Sequence, residues 1–216
     1  MEITDLVRFI DGEALVLDKP AGLDVNRPRS GAISVEGLAK ELRFGFAKVP
    51  TLVHRLDRDT SGCLLLARND KAHKRFQVAF ETGLVEKVYV AVLEGVPEAE
   101  SGTIDLPLGK VSSEAEGWRI VPDPKGKSAI SHWRTLAVDK GRALIEFRPE
   151  TGRTHQLRVH AASGLGLPIK GDPQYGSGGP VMLLHAVRLT IPRGTKPPVE
   201  AEAPLPLAFG ALGFAL

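Results

Sequence analysis

A single cysteine, Cys63, stands in a chain of 216 residues. That leaves neither an internal disulfide framework nor a cysteine-based zinc site, and it suits a reducing compartment. Charge of one sign is not in excess either. Lysine and arginine number 28 against 26 aspartates and glutamates, a net of +2. The total therefore announces no polyanionic partner, although it says nothing about clustering. No charged N-terminal segment leads into an apolar core, and no run reaches eighteen apolar residues. Neither a secretion signal nor a membrane span is expected, and the cytoplasm is the expected location. The apolar C-terminal "PLPLAFGALGFAL" is too short and too interrupted to span a bilayer. Internal repeats and linkers are also missing, so one domain is expected over 1–216.

Cation, by contrast, is concentrated. Arg27, Arg29, Lys40, Arg43, Lys48, Arg55, Arg58, Arg68, Lys71, Lys74, Arg75 and Lys87 fill the first half, while acid gathers at 94–116 and near 200. The apolar share is 43%, an ordinary globular balance.

The periodicities give a coarse map. "EALVLDKPAGLDV" reads as a strand over Ala14–Asp18 broken by Pro20 and Gly22. "SVEGLAKELRFG" reads as a helix capped by Ser34 and ended by Gly45, and "GCLLLARN" as a buried strand. "DKAHKRFQVAFETG" is a helix capped by Asp70, with Ala72, Phe76, Ala79 and Phe80 on one face and Gly83 as its stop. "EKVYVAVLEG" is a strand, and residues 96–128 read as irregular. "AISHWRTLAV" and "RALIEFRPE" flank "DKG" as a hairpin. "TGRTHQLRVHAASGLG" reads as a helix capped by Thr154, "GDPQYGSGGP" as a loop, and "LLHAVRLTIP" as the last strand. Strands outnumber helices without strict alternation, which predicts α+β with a mainly antiparallel sheet.

One stretch demands chemistry. "TLVHRLDRDTSGCLLLARND" sets two carboxylates and two guanidiniums between apolar runs, where charge is costly unless paired or used. Asp57 precedes Thr60-Ser61-Gly62, a turn that can hold a carboxylate still. The residues alone leave a structural ion pair with Arg55 or Arg58 open beside a catalytic role. "DRDT" also fits the D-x-D-x-T nucleophile of magnesium-dependent phosphotransferases. That reading wants an uninterrupted apolar strand before the first Asp and an adjacent acidic pair downstream. His54 and Arg55 break the strand, and the chain has no adjacent Asp-Asp. In "GRTHQLRVH", His155 and His160 are five apart, off the i, i+4 spacing of a metal-binding helical face. Arg153 and Arg158 with Thr154 and Gln156 instead suit phosphate or carboxylate at a helix start, or else a solvated basic face. Tyr89 sits mid-strand, the usual place of a core tyrosine with a satisfied hydroxyl.

"KPAG" (19–22), "HRLDRDTSG" (54–62), "EKVYVAVLEG" (86–95), "GRTHQLRVH" (152–160), "GDPQYG" (171–176) and "LLHAVRL" (183–189) occur in this order. Together they closely resemble the RluA family of pseudouridine synthases, over about 10–193. One departure is Cys63, where the family usually has leucine. Another is that the family's larger members carry an S4-type RNA-binding domain, whereas here the catalytic region begins almost at once. The resemblance implies a single catalytic domain with a mainly antiparallel mixed sheet, flanking helices and a central RNA-binding cleft. It makes Asp57 the catalytic residue in breaking the C1′–N1 bond of a uridine and rejoining the turned base through C5. Nothing is added or lost, so no cofactor and no metal is expected. Arg158 is expected to pair with the catalytic carboxylate, Tyr89 to stack on the flipped base, and Leu157 to wall the pocket. Arg55 is expected to enter the stack where the base leaves. Arg55, Arg58, Lys19, Arg153, His155 and Gln156 are expected to contact RNA. The expected partner is a stem-loop in ribosomal or transfer RNA, the protein being monomeric and away from membranes. An inactive RNA-binding descendant is the remaining alternative, and the intact Asp57, Tyr89 and Arg158 argue against it.

Overall fold

The structure is a computed structural model describing residues 2–113 and 117–216. The end of the acidic stretch expected over 94–116 lies outside the described residues. In chain order the strands are β1 (Val7–Ile10), β2 (Ala14–Lys19), β3 (Thr51–Leu52), β4 (Ser61–Ala67), β5 (Glu86–Leu93), β6 (Ser101–Asp105), β7 (Leu108–Ser113), β8 (Gly117–Pro122), β9 (Ile130–Asp139), β10 (Arg142–Pro149), β11 (Leu184–Arg193) and β12 (Lys196–Glu202). The α-helices are α1 (Val35–Leu38), α2 (Asp70–Glu81), α3 (Gln156–Val159) and α4 (Leu207–Gly210). The α+β class with mainly antiparallel pairing is as the sequence predicts. Among the described residues, no helix is long and apolar enough to cross a membrane.

Two compact units divide the chain, one of 1–87 with 186–204 and one of 88–185 with 205–216. In the first, β1, β2, β4 and β11 lie side by side, with β3 on β4 and β12 on β11. β4 is buried along all seven residues, as a strand covered on both faces must be. Helix α2 lays Ala72, Phe76 and Ala79 into a core shared with Val16, Leu65 and Ile191. Its cap is Asn69, whose Oδ1 accepts the Ala72 N–H at 2.9 Å; Asp70, expected to cap, is the first helical residue. The helix expected over 34–45 has the Ser34 cap but only one α-turn. It tightens to 3₁₀ over Ala39–Arg43 and ends on Phe44 at φ 45°. Cys63 packs inside this unit, its thiol near the Ala201 carbonyl at 3.5 Å and pushed up to about 12 by burial. It is a packing residue.

In the second unit, β5, β10, β9 and β6 form an antiparallel run, and β7 and β8 a separate ribbon. Its core joins Leu93, Ile145, Phe147, Leu157 and Ile169. The stretch 96–128, expected to be irregular, holds β6, β7 and β8. β6 buries only Ile104 of its five residues, so its sequence carries little apolar alternation. The helix expected after Thr154 has no side-chain cap. It is one α-turn opened by His155 at φ 52°, running into a π-turn over His160–Gly164.

Gly62 shows how tightly the start of β4 is held. At φ +106° an added Cβ would fall 2.3 Å from the Ala186 carbonyl oxygen, a backbone atom with no freedom to yield. Gly62→Ala should destabilise the protein by at least about 3 kcal/mol, the strain of the dihedral and the clash acting together. Urea unfolding monitored by circular dichroism measures it.

Candidate active site

The catalytic candidates fall on two sets of elements. In the first unit, Asp57 sits on the turn between β3 and β4, half-buried, while Leu56 beneath it is 5% exposed. The turn closes through the Thr60 N–H on the Asp57 carbonyl at 3.1 Å. Upstream, His54 Nε2 accepts the Leu65 N–H at 3.0 Å, and its ring stacks on Phe80 of α2 at 4.6 Å. The imidazole thereby ties the approach to both β4 and α2. Accepting at Nε2 requires the neutral ring with its proton on Nδ1. Burial and then the nearby Lys87 charge press its pKa down to about 3, against a backbone hydrogen bond with Arg55 that favours the charged form.

The "KPAG" segment is knitted to the same turn. The Arg58 carbonyl accepts both the Gly22 N–H at 2.9 Å and Lys19 Nζ at 2.8 Å. Lys19 Nζ also donates to the Pro20 and Leu23 carbonyls, each at 2.9 Å, and the residue is 0% exposed. Burial lowers its pKa to about 8, while the carboxylates of Asp59, Asp57 and Asp24 favour its charged form. Arg58 returns a bond from Nε to the Gly22 carbonyl at 3.1 Å, with most of its side chain exposed. Arg55 is exposed.

In the second unit, Tyr89 is half-buried on β5 opposite Phe147 of β10. Arg158 lies on α3, 5% exposed. Its Nε donates to Asp172 Oδ2 at 2.7 Å and an Nη to Asp172 Oδ1 at 2.8 Å. Gln156 is buried, its amide oxygen accepting from Thr151 Oγ1 and the Arg153 N–H and its amide nitrogen donating to the Ile130 carbonyl and Ser131 Oγ. Leu157 belongs to the core, against which Tyr89 packs. Arg153 is exposed and donates from Nε to the Ser128 carbonyl at 2.9 Å. His155 is half-buried, its Nδ1 2.9 Å from the Tyr175 hydroxyl and its ring 5.1 Å from that of Trp118.

Lys19 and Gln156 are set apart from the exposed candidates by burial. Both side chains are buried, and their donors and acceptors are taken up by the protein itself. Asp172 and Tyr175 escaped the sequence reading because "GDPQYG" carries the ordinary marks of a turn; the signal that could have found Asp172 is that a buried arginine requires a carboxylate somewhere.

The arrangement suits charge stabilisation on a sugar by a fixed carboxylate, with arginines flanking it, the chemistry of an RNA-uridine isomerase. Comparison with known proteins gives the same class. The sequence pattern of the RNA pseudouridylate synthase family matches residues 13–163. An uncharacterized RNA pseudouridine synthase of Zymomonas mobilis is 61% identical over 212 residues, covering 96% of this chain and 97% of that one. Ribosomal large subunit pseudouridine synthase D of the same organism is 39% identical over 176 residues, covering 78% of this chain and 55% of that protein. The solved structure of human RNA Pseudouridylate Synthase Domain Containing 4 superposes with a TM-score of 0.80 at 26% identity, covering 96% of this chain and 91% of that one. The chain belongs to the RNA pseudouridylate synthase family, in its RluA branch.

The His54 geometry fixes a pH dependence. Its folded pKa is depressed, so between pH 6.5 and 3 the unfolded chain binds a proton that the native ring does not. Stability is therefore lost as pH falls through this window. From pH 7 to pH 5 this group should remove about 2 kcal/mol, a loss absent from His54→Gln. Urea midpoints of both proteins at the two pH values check it.

Proposed function

We propose that this RNA pseudouridine synthase acts on uridines in a structured stem-loop of ribosomal or transfer RNA, with Asp57 as its catalytic carboxylate. The observation that supports it most is the nine-residue turn "HRLDRDTSG", whose every flank is anchored while Asp57 stays half-exposed. A carboxylate held in this way can attack, or stabilise charge on the ribose as the glycosidic bond breaks. Tyr89 and Arg158 support the reaction, Tyr89 by stacking on the extruded base and Arg158 through its buried, fixed guanidinium. Leu157, in the core against which Tyr89 packs, backs the pocket wall. Arg55 fills the stack left by the departing base, which lowers the cost of extrusion. Arg58, Arg153 and His155 complete the RNA-facing set. Lys19 and Gln156 are assigned to holding the protein's own loops. The relatives do not favour a magnesium-dependent phosphotransferase at Asp57 and Asp59.

The two compact units are read as halves of one catalytic domain, since the family match over 13–163 runs through both. That domain works as a cytoplasmic monomer. One relative is a ribosomal large-subunit synthase, and that supports ribosomal RNA as the first target to examine.

Tritium release from RNA carrying 5-tritiated uridine measures turnover directly. Asp57→Asn should retain less than about 1% of the wild-type rate while its RNA affinity stays within about threefold, because binding comes from the cations and chemistry from one carboxylate. A variant that keeps a tenth of the rate would remove Asp57 from the role. Pseudouridine mapping of total RNA with and without the gene then identifies the position modified.

A further inference from the structure

"GDPQYG" is built around one buried carboxylate. Asp172 is 0% exposed. Its Oδ1 accepts the Gln174 N–H at 2.9 Å, the Tyr175 N–H at 3.0 Å and an Arg158 Nη at 2.8 Å. Its Oδ2 accepts Arg158 Nε at 2.7 Å. Both oxygens are thus engaged by charged or backbone donors, which hold the carboxyl ionised. A proton on it would break this set, so it is poorly suited to donate or accept one. The two parallel bonds fix the plane of the Arg158 guanidinium. Tyr175, the third residue after Asp172, places its ring 5.1 Å from the guanidinium carbon. Its hydroxyl accepts the Ile120 N–H at 3.0 Å and lies 2.9 Å from His155 Nδ1. The guanidinium is therefore held at an edge and on a face by one six-residue loop. The loop lies close against the neighbouring chain, since a Cβ added at Gly171, at φ +81°, would fall 1.9 Å from the Val181 carbonyl oxygen.

An arginine that only offered charge to RNA would not need this. Arg55 and Arg58 are exposed, and surface cations bind phosphate without a fixed plane. A buried, bidentate, ring-backed arginine is oriented toward a geometric task.

We infer that Asp172 is a positioning residue for the isomerisation, acting through Arg158, with Tyr175 as the second wall of the same clamp. This rests on the reading that Arg158 takes part in the reaction. Asp172 touches no substrate in this account. It sets where the Arg158 guanidinium sits when the glycosidic bond breaks.

The test is single-turnover and steady-state kinetics of Asp172→Asn, Arg158→Ala and the double variant, with melting temperatures recorded for each. Asp172→Asn should lower kcat by about 100-fold, the scale of an ångström's misplacement of a catalytic group, with KM for RNA within about threefold. Added to Arg158→Ala, it should cost no further rate, because its effect runs through the missing guanidinium. It should also raise the melting temperature of that variant, since Arg158→Ala alone leaves Asp172 buried without its partner. Asp172→Glu keeps the charge but moves the carboxylate by one methylene; it should show the same kcat loss, and it serves if the Asn variant does not fold. An Asp172→Asn or Asp172→Glu enzyme with wild-type kcat beside a slow Arg158→Ala overturns the inference and leaves the role of Arg158 standing. Multiplicative losses in the double variant overturn it too, showing a general structural role for Asp172. If Arg158→Ala is itself as fast as wild type, the underlying reading of Arg158 fails and the inference fails with it.

Discussion

The Lys19 ammonium, fully buried on the carbonyls of Pro20, Leu23 and Arg58, is the interaction on which the Asp57 turn depends. A buried charge costs several kcal/mol unless it is compensated. Here the compensation comes from three dipoles and, at longer range, from the carboxylates of Asp24, Asp57 and Asp59. The carbonyls belong to two segments far apart in sequence, "KPAGL" (19–23) and "HRLDR" (54–58). One cation therefore joins them. Removing it would leave three inward-facing oxygens short of a donor, while the Gly22 N–H and the Arg58 Nε–H would still bridge the two segments. Rigidity at this point matters for the role proposed for Asp57, because a catalytic carboxylate works only within a narrow range of position.

The protein's cations separate into two kinds. Lys19 and Arg158 are buried and bound to the protein's own oxygens, and they set geometry. Arg55, Arg58 and Arg153 are exposed, and they suit a polyanion whose binding weakens with salt. The near-zero net charge conceals this division, because acid elsewhere in the chain balances the total. His54 follows the logic of the buried group, its ring kept neutral to accept one backbone N–H.

Much of this was legible in the sequence, and the reasons differ from element to element. Helix α2 showed because Ala72, Phe76 and Ala79 repeat at helical spacing on one face. β4 showed as an unbroken apolar run, the mark of a strand covered on both faces. Asp57 stood out as charge between two such runs. What stayed hidden had weak local signals. β6 and β8 each bury a single residue, so their alternation is faint. The break of the 154–164 segment into an α-turn and a π-turn is set by tertiary bonds, such as His160 Nδ1 to Ser131 Oγ at 3.0 Å, which no periodicity records. The burial of Lys19 and Asp172 left no local mark, because burial of a charge is decided by partners distant in sequence, Arg58 for one and Arg158 for the other.

The measurement that bears most directly on this account is the kinetic split of Lys19→Met, with RNA affinity and single-turnover rate determined on the same folded preparation. Lys19 Nζ donates to three of the protein's own carbonyls, so affinity should stay within about threefold while the rate falls by about 100-fold, as the loosened turn lets Asp57 drift. A variant that binds RNA more than about tenfold more weakly yet isomerises bound uridine at the wild-type rate would show a lysine that serves phosphate instead, and would contradict the account.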